Sequence, residues 1–227
     1  MRELEHGVHL CMLMEFAPNG TVADVVAKHV ADGKAPIDGA RIWRWIAELA
    51  GALHYLHARR ILHRDLKTDN LFLGDEDALK LGDFGIAREM SHETQKVMTV
   101  VGTPYYMAPE VINSDEYAEP ADCWAVGVIC YELLALERPF DGATFASLMM
   151  KIARGNVANT AALDASGHPA PLRWLASKDA LLHPDADERM TIPALIEHCA
   201  IESLARASAR EVGSGGRGGG SIMSAVV

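Results

Sequence analysis

Apolar residues recur at helical spacing along much of the chain. The clearest series has intervals of three and four residues: Ile42, Ile46, Leu49, Leu53 and Leu56. This period places them on one face of an amphipathic helix. Asp38 is a suitable N-cap for that helix, and Ile37 and Ile42 stand where a hydrophobic staple would form. Apolar periodicity predicts further helices at 21–33, 144–155, 172–182 and 191–207.

The segment ADCWAVGVICYELLAL, residues 121–136, has few polar positions on any side. A helix without a polar face belongs in a protein interior, so we expect this one at the centre of the fold. Its longest apolar run, residues 123–131, is far too short to span a bilayer.

Short strands are predicted in three places. The apolar run VHLCMLMEF, residues 8–16, ends at the turn sequence APNG. The segments LFL (71–73) and LKL (79–81) flank GDEDA and predict a β-hairpin. Residues 155–171 are rich in Ala, Gly and Pro and predict a loop, and the low-complexity residues 206–227 predict a disordered tail. The expected fold class is therefore mainly α, with a few strands (α+β).

Composition limits the partners and the compartment. The chain has 31 acidic and 21 basic residues and a formal net charge of -10. This charge argues against nucleic acid or an anionic membrane as the main partner. The four cysteines form no C-x-x-C pair and indicate no disulfide framework. We therefore expect an intracellular, cytoplasmic protein.

Three motifs follow one another in a fixed order. HRDLKTDN occupies residues 63–70, DFG residues 83–85 and APE residues 108–110. In this order and spacing the chain resembles the eukaryotic protein kinases. Lys67 and the string GTPYY resemble the serine/threonine-specific branch. LKLGDFGIAR and GTPYYMAPE are most similar to the NIMA-related family.

The resemblance implies an ATP- and Mg²⁺-dependent enzyme that phosphorylates Ser or Thr hydroxyls of a protein substrate. Asp65 would accept or orient the proton of the attacking hydroxyl, and Lys67 would offset charge on the phosphate. Asn70 and Asp83 would offer oxygen atoms to Mg²⁺, a hard cation that prefers oxygen ligands. The hairpin between them would bring both oxygens to one point.

Further roles are implied by position in the motifs. At the adenine site Met14 would be the gatekeeper, the backbones of Glu15 and Ala17 would pair with adenine, and Phe72 would form the floor. Thr103 would brace Asp65 and Lys67. Five residues would be structural. His63 would stack under Phe84 and lie near Asp122, and Arg189 would pair with Glu110. Two departures from the family pattern are Thr21, where many relatives carry an acid, and Met190, where the usual residue is proline.

A regulatory switch is also predicted. Thr99 lies four residues before Thr103, where related kinases carry an activating phosphate. Arg64 and Arg88 would pair with that phosphate and order the loop. An upstream activating kinase is the partner this switch would require.

The small lobe of the family is largely missing from the sequence. Its Gly-rich loop and strand lysine precede the hinge, yet residues 1–13 contain no lysine and no G-x-G-x-x-G. We expect a kinase domain over residues 1–205, truncated at its N-terminus. In it the hinge lies near 14–17, the catalytic loop is 63–70 and the activation segment is 83–110.

Three hypotheses follow from this composition of parts. The chain represents a serine/threonine kinase whose fuller product carries the small lobe, and alone it has little activity. Alternatively, it is a non-catalytic binding module, a pseudokinase-like regulator that docks partners through its helical lobe. The third hypothesis is a structural helical domain with vestigial motifs, which the intact set Asp65, Lys67, Asn70 and Asp83 opposes.

Overall fold

The computed structural model describes residues 15–82, 104–113, 116–157 and 160–214. Within these ranges the fold is mainly α-helical with one two-stranded antiparallel sheet. The strands are β1 (Leu71–Leu73) and β2 (Leu79–Leu81). The helices are α1 (Val22–Ala31), α2 (Gly39–His57), α3 (Pro109–Ile112), α4 (Glu119–Ala135), α5 (Phe145–Ala153), α6 (Thr160–Ala165), α7 (Ala170–Leu175) and α8 (Ile192–Ser214).

Side-chain caps fix the starts of the first two helices. Thr21 accepts a hydrogen bond from the backbone N–H of Asp24, whose carboxylate accepts one in return from the N–H of Thr21. Asp38 accepts from the backbone N–H of Arg41 at 3.3 Å, so the predicted N-cap of α2 is confirmed. The five apolar residues that predicted α2 are all buried. Cap and apolar stripe together therefore define this helix, as the sequence indicates.

Helix α4 is the centre of the fold, as predicted. Fourteen of its residues are buried, and its neighbours are α2, α6 and α7. At Gly127 the backbone approaches the segment after α7 so closely that an added Cβ would lie 2.8 Å from Cβ of Leu181. The helix contributes to two groups of buried apolar residues, one containing Ile129 and the other Trp124.

The hairpin pairs Leu71 with Leu81, Phe72 with Lys80 and Leu73 with Leu79. Each strand has only three residues, so the hairpin needs support from its surroundings. Part of this support comes from residues Asn19–Thr21, which run along the other edge of β1. The N–H of Asn19 donates to the carbonyl of Leu73 at 3.1 Å, and the N–H of Leu73 donates to the carbonyl of Gly20 at 2.9 Å.

The structure departs from the sequence predictions in three segments. Helix α6 lies inside the predicted loop 155–171, because one short turn with a single buried anchor, Leu163, produces no visible period. Helix α7 ends at Leu175, whereas a helix was predicted to 182. Helix α8 continues past position 206, the predicted start of the tail, to Ser214, because Ala, Arg and Glu in this stretch favour helix over the glycines that follow.

The predicted hinge strand 8–16 falls mostly outside the described residues. Its last two positions, Glu15 and Phe16, have no regular secondary structure. No helix within the described ranges is long and apolar enough to cross a bilayer. Cys123, Cys130 and Cys199 are buried free thiols, and burial raises the pKa of each.

Candidate active site

The predicted catalytic loop, residues 63–70, is held to the central helix by one buried carboxylate. Asp122 of α4 accepts from the backbone N–H of His63 at 3.1 Å and from that of Arg64 at 3.3 Å. Its other contacts are His57 Nε2 at 2.8 Å and the hydroxyl of Tyr117 at 2.7 Å. The proximity of His63 to Asp122, expected from the resemblance, is thus a backbone contact, while His63 Nε2 lies 3.1 Å from the carbonyl of Gly82.

These contacts determine both the charge of Asp122 and the shape of the loop. Burial would raise the pKa of Asp122, but the hydrogen bonds from His57, Tyr117 and the two backbone groups outweigh it and lower the pKa. Arg64 has a φ of 68°, an unfavourable conformation for a residue with a side chain. An ionised Asp122 therefore holds a strained backbone in place at the start of the loop.

Asp65, Lys67 and Asn70 converge on one point. Lys67 Nζ donates to the Asp65 carboxylate at 2.8 Å, and Asn70 Nδ2 donates to the same carboxylate oxygen at 3.0 Å. Asn70 Nδ2 also donates to the backbone carbonyl of Asp65 at 2.7 Å. The Asp65 side chain is about half exposed, whereas Asn70 is buried, so a fixed amide orients an accessible carboxylate.

The surroundings of Asn70 fit a magnesium ligand. Because its Nδ2 is engaged by Asp65, its Oδ1 is the atom left to face a cation. The carbonyl of Asn70 accepts from the N–H of Gly82 at 3.1 Å, so the residue before Asp83 lies beside Asn70. Among the described residues no three His, Cys, Asp or Glu side chains form a metal cluster, but an Asn and Asp pair with phosphate oxygens is a different donor set.

Phe72, the predicted floor of the adenine site, lies at the middle of β1 and is partly buried. Its ring is so close to Gly82 that an added Cβ there would lie 2.6 Å from Cε2. A side chain at position 82 would therefore displace the Phe72 ring, a relation the sequence alone does not reveal. Glu15 is exposed and pairs with Lys80 of β2, and Ala17 is partly buried.

Arg189 and Glu110 form a bidentate pair. Arg189 NH1 and NH2 donate to the two oxygens of Glu110 at 2.7 and 2.9 Å. The Arg189 side chain is fully buried and also donates to the carbonyls of Pro120 and His183. The structure therefore brings together the two residues that the resemblance pairs, and the contact ties α3 to the turn before α8.

A second buried network was not anticipated from the sequence. The hydroxyl of Tyr106 donates to Glu132 of α4 at 2.6 Å and lies 3.0 Å from the hydroxyl of Thr68. Burial and the Glu132 carboxylate raise the pKa of Tyr106, and burial raises that of Glu132. The network joins the catalytic loop to the segment before α3. Its sequence signal is Glu132, a glutamate within the apolar second half of α4.

Several predicted site residues lie outside the described residues. They are Met14, Asp83, Phe84, Arg88, Thr99 and Thr103. The predicted activation segment is thus described only from residue 104 onward.

The chain is similar in sequence to known proteins. The protein kinase domain family matches residues 2–201. The human serine/threonine-protein kinase Nek11 is 32% identical over 189 residues, which cover 83% of this chain and 29% of that protein. Human Nek2 is 40% identical over 64% of this chain and 34% of that protein. The chain thus spans about a third or less of the length of these relatives.

A solved structure has the same fold. The crystal structure of Rad53 1–466 in complex with AMP-PNP matches with a TM-score of 0.68 and 30% identity, over 82% of this chain and 45% of that chain. A helical lobe with a short hairpin beside a carboxylate, lysine and asparagine is the large lobe of a protein kinase. The chain belongs to the protein kinase domain family, and its relatives among the Nek kinases confirm the predicted NIMA-related affinity.

Proposed function

We propose that the chain carries the large lobe of a serine/threonine protein kinase that transfers the γ-phosphate of ATP to hydroxyls of protein substrates. The observation that carries the proposal is the Asp65 carboxylate, held between Lys67 and Asn70 on a loop fixed to the core. A structural domain without chemistry would have no need of an accessible, oriented carboxylate. Membership of the protein kinase family supports the same assignment.

The residues divide the work of phosphoryl transfer. The substrate oxygen attacks the γ-phosphorus as the bond from that phosphorus to the β–γ bridging oxygen breaks and ADP leaves. Asp65 orients the attacking hydroxyl and receives its proton, and Lys67, 2.8 Å from Asp65, offsets charge on the transferred group. Asn70 Oδ1 and Asp83 would hold Mg²⁺, which neutralises phosphate charge when bound. Thr103 would brace Asp65 and Lys67.

The nucleotide would enter between the hairpin and the hinge. Phe72 would form the floor under adenine, and Met14 with the backbones of Glu15 and Ala17 would form its edge. The Rad53 structure contains AMP-PNP, an ATP analogue, which supports ATP as the nucleotide of this related chain.

Regulation would act through Thr99. A phosphate on this residue, added by an upstream kinase, would pair with Arg64 and Arg88. Arg64 is exposed, so its guanidinium is accessible to such a phosphate. We further propose an intracellular, cytoplasmic protein that acts on proteins rather than on nucleic acid or membrane; its formal charge of -10 supports this choice.

Binding and transfer should be tested separately. The full chain is titrated with ATP, with and without Mg²⁺, beside the Asn70→Ala variant. Phosphorylation of a generic protein substrate is then measured for the chain alone and for a fusion carrying the small lobe of Nek2 before residue 8. We expect Mg²⁺-dependent binding that Asn70→Ala weakens, little transfer by the chain alone, and transfer by the fusion.

The Asp65→Asn variant of the fusion is the control for transfer. Removing a general base lowers the rate by about 10² to 10⁴ fold. Transfer that is equal in both fusions would show that Asp65 is not the base. No Mg²⁺–ATP binding and no transfer by the fusion would reject the kinase function and favour the non-catalytic binding module.

A further inference from the structure

We propose that Asp77, in the turn of the hairpin, is a positioning residue for the metal site. Residues of helix α2 bind the turn of the hairpin by hydrogen bonds to Asp77. At the other end of the hairpin, Gly82 lies beside Asn70. The role in metal binding rests on the proposed function, but the alignment of the hairpin does not. None of the kinase motifs contains Asp77 or its partners.

The contacts of Asp77 are unusually numerous for a surface turn. Arg41 donates to both carboxylate oxygens, from Nε at 2.7 Å and from NH2 at 2.6 Å. Arg44 donates to Oδ2 from NH2 at 2.5 Å and to the carbonyl of Glu76 from NH1 at 3.0 Å. The indole N–H of Trp45 donates to the carbonyl of Asp77 at 3.1 Å. Three residues of α2, spaced over about one helical turn, thus contact Asp77, and one of them also contacts Glu76.

The backbone conformation of the turn is unfavourable and needs these hydrogen bonds from α2. Glu76 and Asp77 have φ values of 53° and 64°, both in the left-handed region. Non-glycine residues persist there only when their surroundings hold them. The N–H of Leu79 at the start of β2 donates to Glu48 of α2 at 2.7 Å, so the return strand is tied to the same helix.

The hydrogen bonds to Asp77 affect the metal site because they fix the register of the hairpin. Between the turn and the site lie only the three pairs of β1 and β2, and the N–H of Gly82 then donates to the carbonyl of Asn70. Strands this short cannot fix their own register against thermal opening. We therefore expect a change in the turn to shift Gly82, the residue before Asp83, relative to Asn70.

The first experiment measures amide hydrogen exchange in the full chain. Asp77→Asn removes the charge but keeps the shape, and asparagine tolerates a positive φ. Asp75→Asn is the matched control: it lies in the same turn, and its carboxylate has no partner within the described part of the chain. Asp77→Asn should speed exchange of the Gly82 and Leu79 amides about tenfold, because charge-assisted hydrogen bonds are lost.

The pattern of exchange separates positioning from general stability. We expect amides of α4 to exchange at wild-type rates in Asp77→Asn, and all amides to do so in Asp75→Asn. Equal acceleration along the whole chain, or unchanged exchange at Gly82, would overturn the inference.

The second experiment measures Mn²⁺–ATP binding by electron paramagnetic resonance, with Mn²⁺ as the probe for the metal. Asp77→Asn should weaken Mn²⁺–ATP binding several fold and leave metal-free ATP binding unchanged, whereas Asp75→Asn should match wild type. Faster exchange at Gly82 with unaltered Mn²⁺–ATP affinity would refute the positioning role. If the wild-type chain does not bind Mn²⁺–ATP, the role of Asp77 in metal binding is refuted for this chain, and exchange at Gly82 decides whether Asp77 aligns the hairpin.

Discussion

At the scale of single residues, buried charges are placed where they restrain the site. Asp122 accepts four hydrogen bonds in the core, and Arg189 is buried against Glu110 and backbone carbonyls. Buried charges are tolerated only when they are fully paired, so removal of one partner has a large effect. Loss of a partner of Asp122 or Arg189 should therefore destabilise the fold more than loss of an ion pair on the surface.

The pKa of Asp122 gives a pH dependence with a definite sign. Because its folded-state pKa is lowered, its contribution to stability is complete above the unfolded value of about 3.9 and is lost as the pH falls through the folded pKa. Tyr117→Phe deletes one hydrogen bond to Asp122 and moves that pKa back toward its ordinary value. The variant should lose about 1 kcal/mol at neutral pH and show a shallower loss of stability below about pH 5.

Urea unfolding at a series of pH values measures this change. Tyr55→Phe serves as the control, since Tyr55 is exposed and its ring contacts Arg59, which is not a partner of Asp122. We expect the control to keep the wild-type slope. If the free energy of unfolding of Tyr117→Phe fell with decreasing pH as steeply as that of the wild type, Tyr117 would not lower the pKa of Asp122.

Loss of Glu110 should destabilise the fold strongly. Glu110→Ala removes the carboxylate partner of the buried Arg189 guanidinium, which keeps its backbone carbonyls and its contact with the Trp124 ring. Breaking a buried pair costs about 3 kcal/mol or more. Asp164→Ala removes the exposed partner of Arg173 and should cost less than about 1 kcal/mol. Thermal or urea unfolding compares the two, and similar losses would contradict the ranking.

At the scale of elements, two glycines in helices should respond in opposite directions to alanine. Gly127 lies against Leu181 and Leu182, so Gly127→Ala forces the packing apart and should cost about 1–3 kcal/mol. Gly51 of α2 has open space around it, so Gly51→Ala should stabilise by about 0.5–1 kcal/mol through helix propensity. Free energies of unfolding measured in urea test both signs, and a stabilising Gly127→Ala would disprove the close approach.

The elements that could be predicted are those whose own sequence determines them. Helix α2 was predicted from its apolar period and its Asp38 cap, and α4 from its lack of a polar face. Helix α6 was missed because its stability comes from burying Leu163 against other elements. The pairing of Asn19–Thr21 with β1 was missed for a related reason, since it depends on contacts distant in sequence.

The same distinction applies within the site. Asp65, Lys67 and Asn70 are neighbours in sequence, and their motif predicts their convergence. The network of Tyr106, Glu132 and Thr68 joins three segments that are far apart in the chain. No local pattern encodes that contact, so only the folded structure reveals it.

At the scale of the whole molecule, the described residues should unfold as one unit. The two groups of buried apolar residues share α4, and Tyr106 and Val157 pack against both. Leu182→Ala, in the second group, should cost about 2–5 kcal/mol and shift the urea midpoint. Trp45 belongs to the first group and Trp124 to the second. If both groups unfold in one transition, the midpoint measured by far-UV circular dichroism and that measured by tryptophan fluorescence should shift together.

A biphasic transition in the Leu182→Ala variant would contradict this expectation. It would show that the second group unfolds alone and that α4 does not couple the two. The wild-type chain, in which both groups are intact, provides the reference for a single transition.

The attachment of the catalytic loop to Asp122 has a consequence for ligand affinity. Contacts within the chain fix the backbone of His63 and Arg64, including the unfavourable φ of Arg64. Conformational entropy that would otherwise be lost on binding is therefore lost once, during folding. A nucleotide or peptide that binds at this loop would contact a backbone that is already ordered. Its affinity would therefore not be lowered by the entropy cost of ordering the loop.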